Sequence, residues 1–284
     1  MKLPVLTLAL ALLCLPAYAS EEALIEPETA LDKPSNVEHV EVKPSAEFPI
    51  DAENPPGQGD IACSYYQHVM VKQIDLGEKG AAQLSWIPID AKGKKPTCAQ
   101  QNASNEYVVP SDMWTGYYES AEWPYLFFGA DDGSNGGMGF AVFNAADKKK
   151  VLEDTAVGSV ESVSHDGTSA KLKYKRAWKA SCSVMTEGDA CWGKIQQALK
   201  LPAGGNIPNC ADEYVKQKTD MAHMRCQSNG NDSQTCFENE MKNLDAQKWN
   251  ESPSVIAYTV EVSLKGGESS VKPTGGDISC APSE

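Results

Sequence analysis

Cysteine is the residue type in this chain best suited to covalent chemistry, with nine copies in 284 residues. Cys14 lies in an apolar N-terminal run. The other eight are Cys63, Cys98, Cys182, Cys191, Cys210, Cys226, Cys236 and Cys280. No two of them have the Cys-x2-Cys spacing of structural zinc sites. In an exported chain, an even number of cysteines predicts up to four disulfides. The first pairings to test are Cys63 with Cys98, across an early β region, and Cys226 with Cys236, across a helical turn; the others stay open.

Cys191 has a catalytic alternative. It follows Gly188-Asp189-Ala190 and precedes Trp192 at the start of a predicted helix, where the helix dipole stabilises a thiolate. The Ala-Cys-Trp sequence locally resembles the signature of papain-like enzymes, but the upstream Cys-Gly is missing and His223 follows too closely. A disulfide is therefore the favoured state of Cys191.

Oxygen-bearing side chains on a glycine-rich stretch offer a possible cation site. Asp131, Asp132 and Asn135 lie between two predicted strands, and carboxylate and amide oxygens are ligands that calcium prefers. The EF-hand spacing is absent, and a plain loop needs the same residue types for its turns. We therefore expect no cofactor, with Ca²⁺ at this loop as the alternative.

Aromatic side chains are concentrated between residues 114 and 128. Most such rings form core and cross-strand pairs, but some here lie among Gly, Ser and Glu, as at a strand edge. Rings beside carboxylates often bind sugars or protein partners. The candidate binding residues are Trp114, Tyr117, Tyr118 and Trp123.

Enzyme motifs are otherwise missing. The four histidines are not in H-x-H or H-E-x-x-H spacing, and there is no G-x-S-x-G sequence. The catalytic residues of an envelope hydrolase would be invisible here, because glycosidase carboxylates meet only in the fold. Glu119 and Glu122 are the first such pair to test. Whether the chain is an enzyme stays open, and a binding module is favoured.

The elements that position these residues are mainly strands. Alternating apolar residues predict a hairpin of 68–76 with 82–89, strands at 124–130 and 138–145, and further strands at 149–153, 158–164 and 168–178. One face of a late strand carries Ile256, Tyr258, Val260, Val262 and Leu264. Helical composition appears at 191–199, 211–226 and 233–249. The predicted fold class is α+β, mainly β, with an antiparallel β-sandwich-like body and a disulfide-rich helical insertion at about 189–249.

The N-terminal region predicts export. Residues 1–19 have a short positive start, an apolar run and Ala17-Tyr18-Ala19, which together are typical of a signal peptide cleaved after Ala19. Residues 20–62 carry eleven carboxylates against two lysines and are rich in proline, which predicts a disordered acidic tail. Residues 63–284 are then a single β-rich domain.

Charge and hydropathy exclude some partners. A net charge of −14 disfavours binding to nucleic acid, because nucleic acid binds basic surfaces. The same charge disfavours binding to anionic lipid, which would repel the chain. No later stretch is apolar over the length of a membrane span. We expect a periplasmic or secreted binding module for a protein or carbohydrate, with an envelope hydrolase as the alternative.

Overall fold

The computed structural model describes residues 31–48, 59–90, 94–134, 136–201, 207–230, 233–274 and 276–283. The strands are β1 (Asn36–Glu41), β2 (Asp60–Tyr65), β3 (Val69–Asp75), β4 (Gln83–Pro88), β5 (Tyr107–Val108), β6 (Tyr117–Glu122), β7 (Tyr125–Ser134), β8 (Gly137–Asn144), β9 (Lys149–Asp166), β10 (Ser169–Lys179), β11 (Ser254–Lys265), β12 (Glu268–Pro273) and β13 (Ser279–Pro282). The helices are α1 (Val184–Glu187), α2 (Asp189–Leu199), α3 (Ala211–Ser228) and α4 (Gln234–Ala246), with a 3-10 turn at Trp249–Glu251.

These strands form two antiparallel sheets. The smaller sheet runs β1-β2-β3-β4-β5 in chain order. The larger runs β12-β11-β10-β9-β8-β7-β6, and β13 also pairs with β11. Along each of these two paths consecutive strands are neighbours, although the helices interrupt the chain between β10 and β11. The predicted fold class, α+β and mainly β with antiparallel sheets, is confirmed.

The hairpin of β7 and β8 lies between two hydrophobic cores. Phe127 of β7 and Phe140 of β8 belong to a core shared with the helices, while Phe128 and Phe143 belong to a second core shared with β3 and β4 of the smaller sheet. Successive strand residues point to opposite faces. The continuous apolar runs of this hairpin therefore fill both cores, and Phe128 and Phe143 meet edge to face, with ring centroids 5.5 Å apart.

The larger sheet curls at β9. This strand pairs with β8 through residues 149–156 and with β10 through 156–166, and Gly158 takes a positive φ at the change of partner. The curl brings β7 close to the β9–β10 turn, where the Tyr125 hydroxyl donates to the Thr168 carbonyl at 3.1 Å. The single strand replaces the two predicted at 149–153 and 158–164.

The outer face of the smaller sheet carries a third core. Ile61 of β2, with Met70 and Ile74 of β3, packs beneath the segment 94–106. The Cys63–Cys98 disulfide joins this segment to β2, which confirms the predicted pairing.

Three further disulfides hold the helices. Cys182–Cys191 joins the end of β10 to α2, Cys210–Cys280 joins the start of α3 to β13, and Cys226–Cys236 joins α3 to α4. The four predicted disulfides and the predicted 226–236 pairing are thus confirmed. The helical region begins at residue 184 and ends at 251, slightly outside the predicted 189–249. A small helical layer buries little area alone, so covalent attachment to the sheet stabilises it.

Two further sequence predictions about local structure are wrong. Residues 36–41, predicted as disordered tail, form β1, because their backbone pairs with 60–65 and His39 Nδ1 lies 2.7 Å from Asp60 Oδ2. The predicted loop between 130 and 138 is instead strand up to Ser134, which pairs with Gly137 across a tight turn. The predicted signal peptide at 1–19 lies outside the described residues.

We expect the two disulfides that join the helical region to the larger sheet to differ in their effect on stability. Cys210–Cys280 closes a separation of 70 residues and Cys182–Cys191 one of 9. Loop-closure entropy predicts a loss of about 4 kcal/mol on replacing the first pair by alanines and about 2.5 kcal/mol for the second. Urea unfolding of the two double variants measures the difference. All four cysteines are buried, so the lost packing is similar, and the reverse order of stability would contradict the entropic account.

Candidate functional site

The rim of the two sheets next to the β6–β7 turn brings aromatic and ionisable side chains together. Trp123 begins this turn, and its indole lies against the ring of His68 from the β2–β3 turn, with centroids 5.4 Å apart. The backbone amide of Trp123 donates to Asp32 Oδ2 at 3.2 Å. We call the group around this contact the Trp123 cluster; its members are Asp32, Tyr66, His68, Tyr118, Glu122, Trp123 and His165.

Asp32 is positioned by the strand that it joins. It forms an isolated antiparallel bridge with Ala121 of β6, and its backbone amide donates to the Ala121 carbonyl at 3.1 Å. Asp32 lies in the segment predicted to be disordered, so the sequence analysis did not select it as a binding-site residue. The charge of its carboxylate contributes to the raised pKa values of Tyr66, Tyr118 and Glu122.

Two tyrosines form the inner wall of the cluster. The Tyr118 hydroxyl donates to that of Tyr66 at 2.6 Å, and the Tyr118 ring meets Phe128 edge to face. Burial raises the pKa of Tyr118 well above its usual value, and burial likewise raises the pKa of Tyr66. Both hydroxyls are therefore neutral hydrogen-bonding groups at physiological pH.

Glu122 is the buried acid of the site. Its side chain is only 9% exposed, and Oε1 lies 3.1 Å from Nδ1 of His165 at the end of β9. Burial, followed by the charge of Asp32, raises the pKa of Glu122, while the His165 ring opposes this shift. A carboxyl group in this setting takes up a proton more readily than one in water.

The structure does not bring the four predicted binding residues together. Tyr118 and Trp123 belong to the Trp123 cluster. Tyr117 precedes Tyr118 at the start of β6, but its hydroxyl accepts a hydrogen bond from the Gly80 amide of the β3–β4 connection at 2.9 Å. Trp114 is half-buried against the core between the sheets, and within the described part of the chain its indole nitrogen has no hydrogen-bond partner.

The predicted carboxylate pair is not brought together as such. Glu119 lies at a bulge in β6, and its side chain covers Gly129 of β7. Glu122 is three residues further along the strand, about 10 Å away, and faces His165. Asp32, and not Glu119, is the carboxylate whose charge raises the pKa of Glu122.

The predicted cation ligands lie apart from this cluster. Asp131 and Asp132 are strand residues of β7, and Asp132 Oδ2 forms an ion pair with Lys79 Nζ. Asn135 is outside the described residues. Over the ranges that the structure describes, no three His, Cys, Asp or Glu side chains are grouped so as to hold a metal ion.

The alternative role of Cys191 as a nucleophile is excluded, because its sulfur is bonded to Cys182. Of the histidines that sequence patterns left without a role, His68 and His165 belong to the Trp123 cluster. His223 instead stacks on Phe237 between α3 and α4. Pairings of this kind leave no spacing signal in the sequence, since each joins residues from distant strands or helices.

The chain matches no protein-family model, no curated protein and no solved structure. Within the described ranges, no helix has both the length and the apolarity to cross a bilayer.

We expect replacement of Glu122 by glutamine to change how stability depends on pH. Folding raises the pKa of Glu122, so the stability that this group contributes is fully present below the unfolded pKa, about 4.3. It is lost as pH rises through the folded pKa. The free energy of unfolding of the wild type should therefore fall, relative to that of Glu122→Gln, between about pH 4 and pH 7.

Urea titrations across this pH range measure the effect. Glu161→Gln is the control, because Glu161 is a half-exposed carboxylate that pairs with Lys173 on the sheet surface. Its difference from wild type should stay nearly constant with pH. A wild type that gains stability over Glu122→Gln as pH rises would contradict the prediction.

Proposed function

We propose that this chain is an exported, disulfide-stabilised binding module and that the Trp123 cluster binds a carbohydrate. The observation that carries the proposal is the half-buried indole of Trp123, which is held against His68 while the backbone amide of Trp123 donates to the Asp32 carboxylate. The charge of Asp32 also reaches Glu122, the residue before Trp123. The Trp123 cluster combines an aromatic platform with hydrogen-bonding groups at one rim of the two sheets. This is the general composition of a small-ligand site.

Each part of the cluster has a role in the proposed complex. The apolar face of a sugar ring packs on the flat indole of Trp123, which loses little conformational freedom on binding. The carboxylates of Asp32 and Glu122 accept hydrogen bonds from sugar hydroxyls, and charged acceptors form the stronger bonds. The ring of His68 fixes the orientation of the indole.

The compartment in this proposal is the periplasm or the extracellular space. Four disulfides fit an oxidising compartment of this kind. The N-terminal sequence adds a signal peptide cleaved after Ala19, which belongs to the same proposal.

A hydrolase is the second candidate, and one observation favours it. Glu122 has a pKa raised by burial and by the charge of Asp32. Two carboxyl groups held in different environments are the arrangement that glycosidases use as acid and as nucleophile or base. Release of reducing ends from a glycan that binds, lost in Glu122→Gln, would support this alternative over a binding module.

We expect Trp123→Ala to weaken carbohydrate binding by tenfold or more, about 1.4 kcal/mol. A glycan array identifies the bound sugar, and isothermal titration with that sugar measures the dissociation constants of wild type and variant. Trp178→Ala is the matched control, because Trp178 is also half-buried but packs against the core on the helical side of the larger sheet.

The control variant should bind as the wild type does. Equal losses in both variants, at equal thermal stability, would contradict a site at Trp123. A wild type that binds none of the arrayed glycans would contradict the carbohydrate proposal, and the protein-partner alternative would then be tested by pull-down with the Trp123 variant as control.

A further inference from the structure

A fully enclosed lysine lies on the outer face of the smaller sheet, away from the Trp123 cluster. Lys72 of β3 is 1% exposed, as is the side chain of its ion-pair partner Glu106, and Nζ lies 2.7 Å from Glu106 Oε1. Nζ also donates to Asn102 Oδ1 at 3.0 Å and to the Ala99 carbonyl at 3.2 Å. A lysine ammonium has three protons, so all of its donors are in use.

The neighbours of Asn102 complete a reactive arrangement. Gln83 Nε2 donates to Asn102 Oδ1 at 2.8 Å, so this carbonyl oxygen receives hydrogen bonds from both Gln83 and Lys72. Glu106 is held in place by bonds from Ser85 Oγ at 2.6 Å and from the Ala103 amide at 2.8 Å. A desolvated lysine, a carboxylate and a polarised amide therefore meet at one point.

We propose that Lys72 and Asn102 are joined by an intramolecular isopeptide bond, with Glu106 transferring the protons. The C=O bond is about 1.2 Å long, so the carbonyl carbon of Asn102 is at most about 4.2 Å from Lys72 Nζ. That lies within about 1 Å of the distance at which reacting atoms are positioned for attack. Lysine amines are recognised nucleophiles once a neighbouring base has removed a proton.

The reaction balances without any co-reactant. Glu106 accepts a proton from the Lys72 ammonium, and the freed electron pair of Nζ forms a bond to Cγ of Asn102. The hydrogen bond from Gln83 stabilises the charge that develops on Oδ1. The bond from Cγ to Nδ2 then breaks, and Nδ2 takes one proton from Glu106 and one from Nζ, so that it leaves as ammonium and the new amide keeps one proton. Glu106 ends as the carboxylate with which it began.

The surroundings suit both the reaction and its product. Asn102 as a residue is exposed, so ammonia has a path to solvent while Lys72 and Glu106 stay enclosed. The bond would link residues 30 positions apart, close to the Cys63–Cys98 disulfide, which has a separation of 35. Both links would fasten segment 94–106 to the smaller sheet, one of them resistant to reducing agents.

Mass spectrometry of the reduced, full exported chain tests the proposal. The wild type should be lighter by about 17 Da, the mass of the ammonia lost, than a chain with both side chains intact. Trypsin should fail to cut after Lys72 and should release one branched peptide containing Lys72 and Asn102. Glu106→Gln, which keeps the shape of the side chain, should show the full mass and normal cleavage.

Two further variants make the result specific. Lys150→Met is the matched control, since Lys150 also donates to a carbonyl, that of Met113 at 2.8 Å, and pairs with Glu153; it should keep the mass deficit. Lys72→Met should lose it. If Lys72→Met fails to fold, Glu106→Gln, checked by circular dichroism, still decides the question.

A mass deficit alone is not sufficient, because an asparagine that cyclises to a succinimide also loses ammonia. Asn135-Gly136 and Asn229-Gly230 are sequences prone to this reaction. Fragmentation that places the deficit there, or a tryptic peptide that ends at Lys72 with a free amine from folded wild type, would overturn the proposal.

Discussion

Burial of the β7–β8 hairpin on both faces is the constraint on which the rest of the architecture depends. Alternate residues of these two strands enter different cores, so neither face can be exposed without leaving large aromatic side chains in water. The smaller sheet must cover one face. The curl of the larger sheet at β9, together with the helices, must cover the other. A shift of register by one residue would exchange the two faces of a strand and send every one of its side chains into the other core.

The helical region depends on this constraint more than on its own sequence. The helices are short or strongly polar; α3 buries only Tyr214, Ala222 and Cys226. Tyr214 fills the core and its hydroxyl lies 2.9 Å from Ser254 Oγ of β11, so one residue both packs and provides a polar anchor. The disulfides then hold in place a layer that buries too little apolar surface to be stable alone.

Ionisable groups are buried at two places with different consequences. Lys72 and Glu106 are enclosed together, and every polar partner around them is satisfied, which is the condition under which a buried ion pair is tolerated. Glu122 is enclosed beside Asp32, a like charge that raises its pKa, while the His165 ring and a backbone hydrogen bond from Asp32 oppose the shift. The first arrangement favours local order and the proposed cross-link. The second keeps a carboxyl group poised to change its protonation, as binding and catalytic sites often do.

The sequence alone determined the strand and helix types and the antiparallel, mainly-β class, because alternation of apolar residues and turn residues report on local geometry. It also determined the existence of four disulfides, because an even cysteine count reports on oxidation. The face defined by Ile256, Tyr258, Val260, Val262 and Leu264 is one such case, since all five residues enter one core. Tertiary structure alone decided that residues 36–41 form a strand, since most of their side chains are exposed and the segment pairs through its backbone. It also decided which residues surround Trp123. Asp32, His68 and Glu122 come from separate strands and turns, and no spacing along the chain records distances that are set by how two sheets pack.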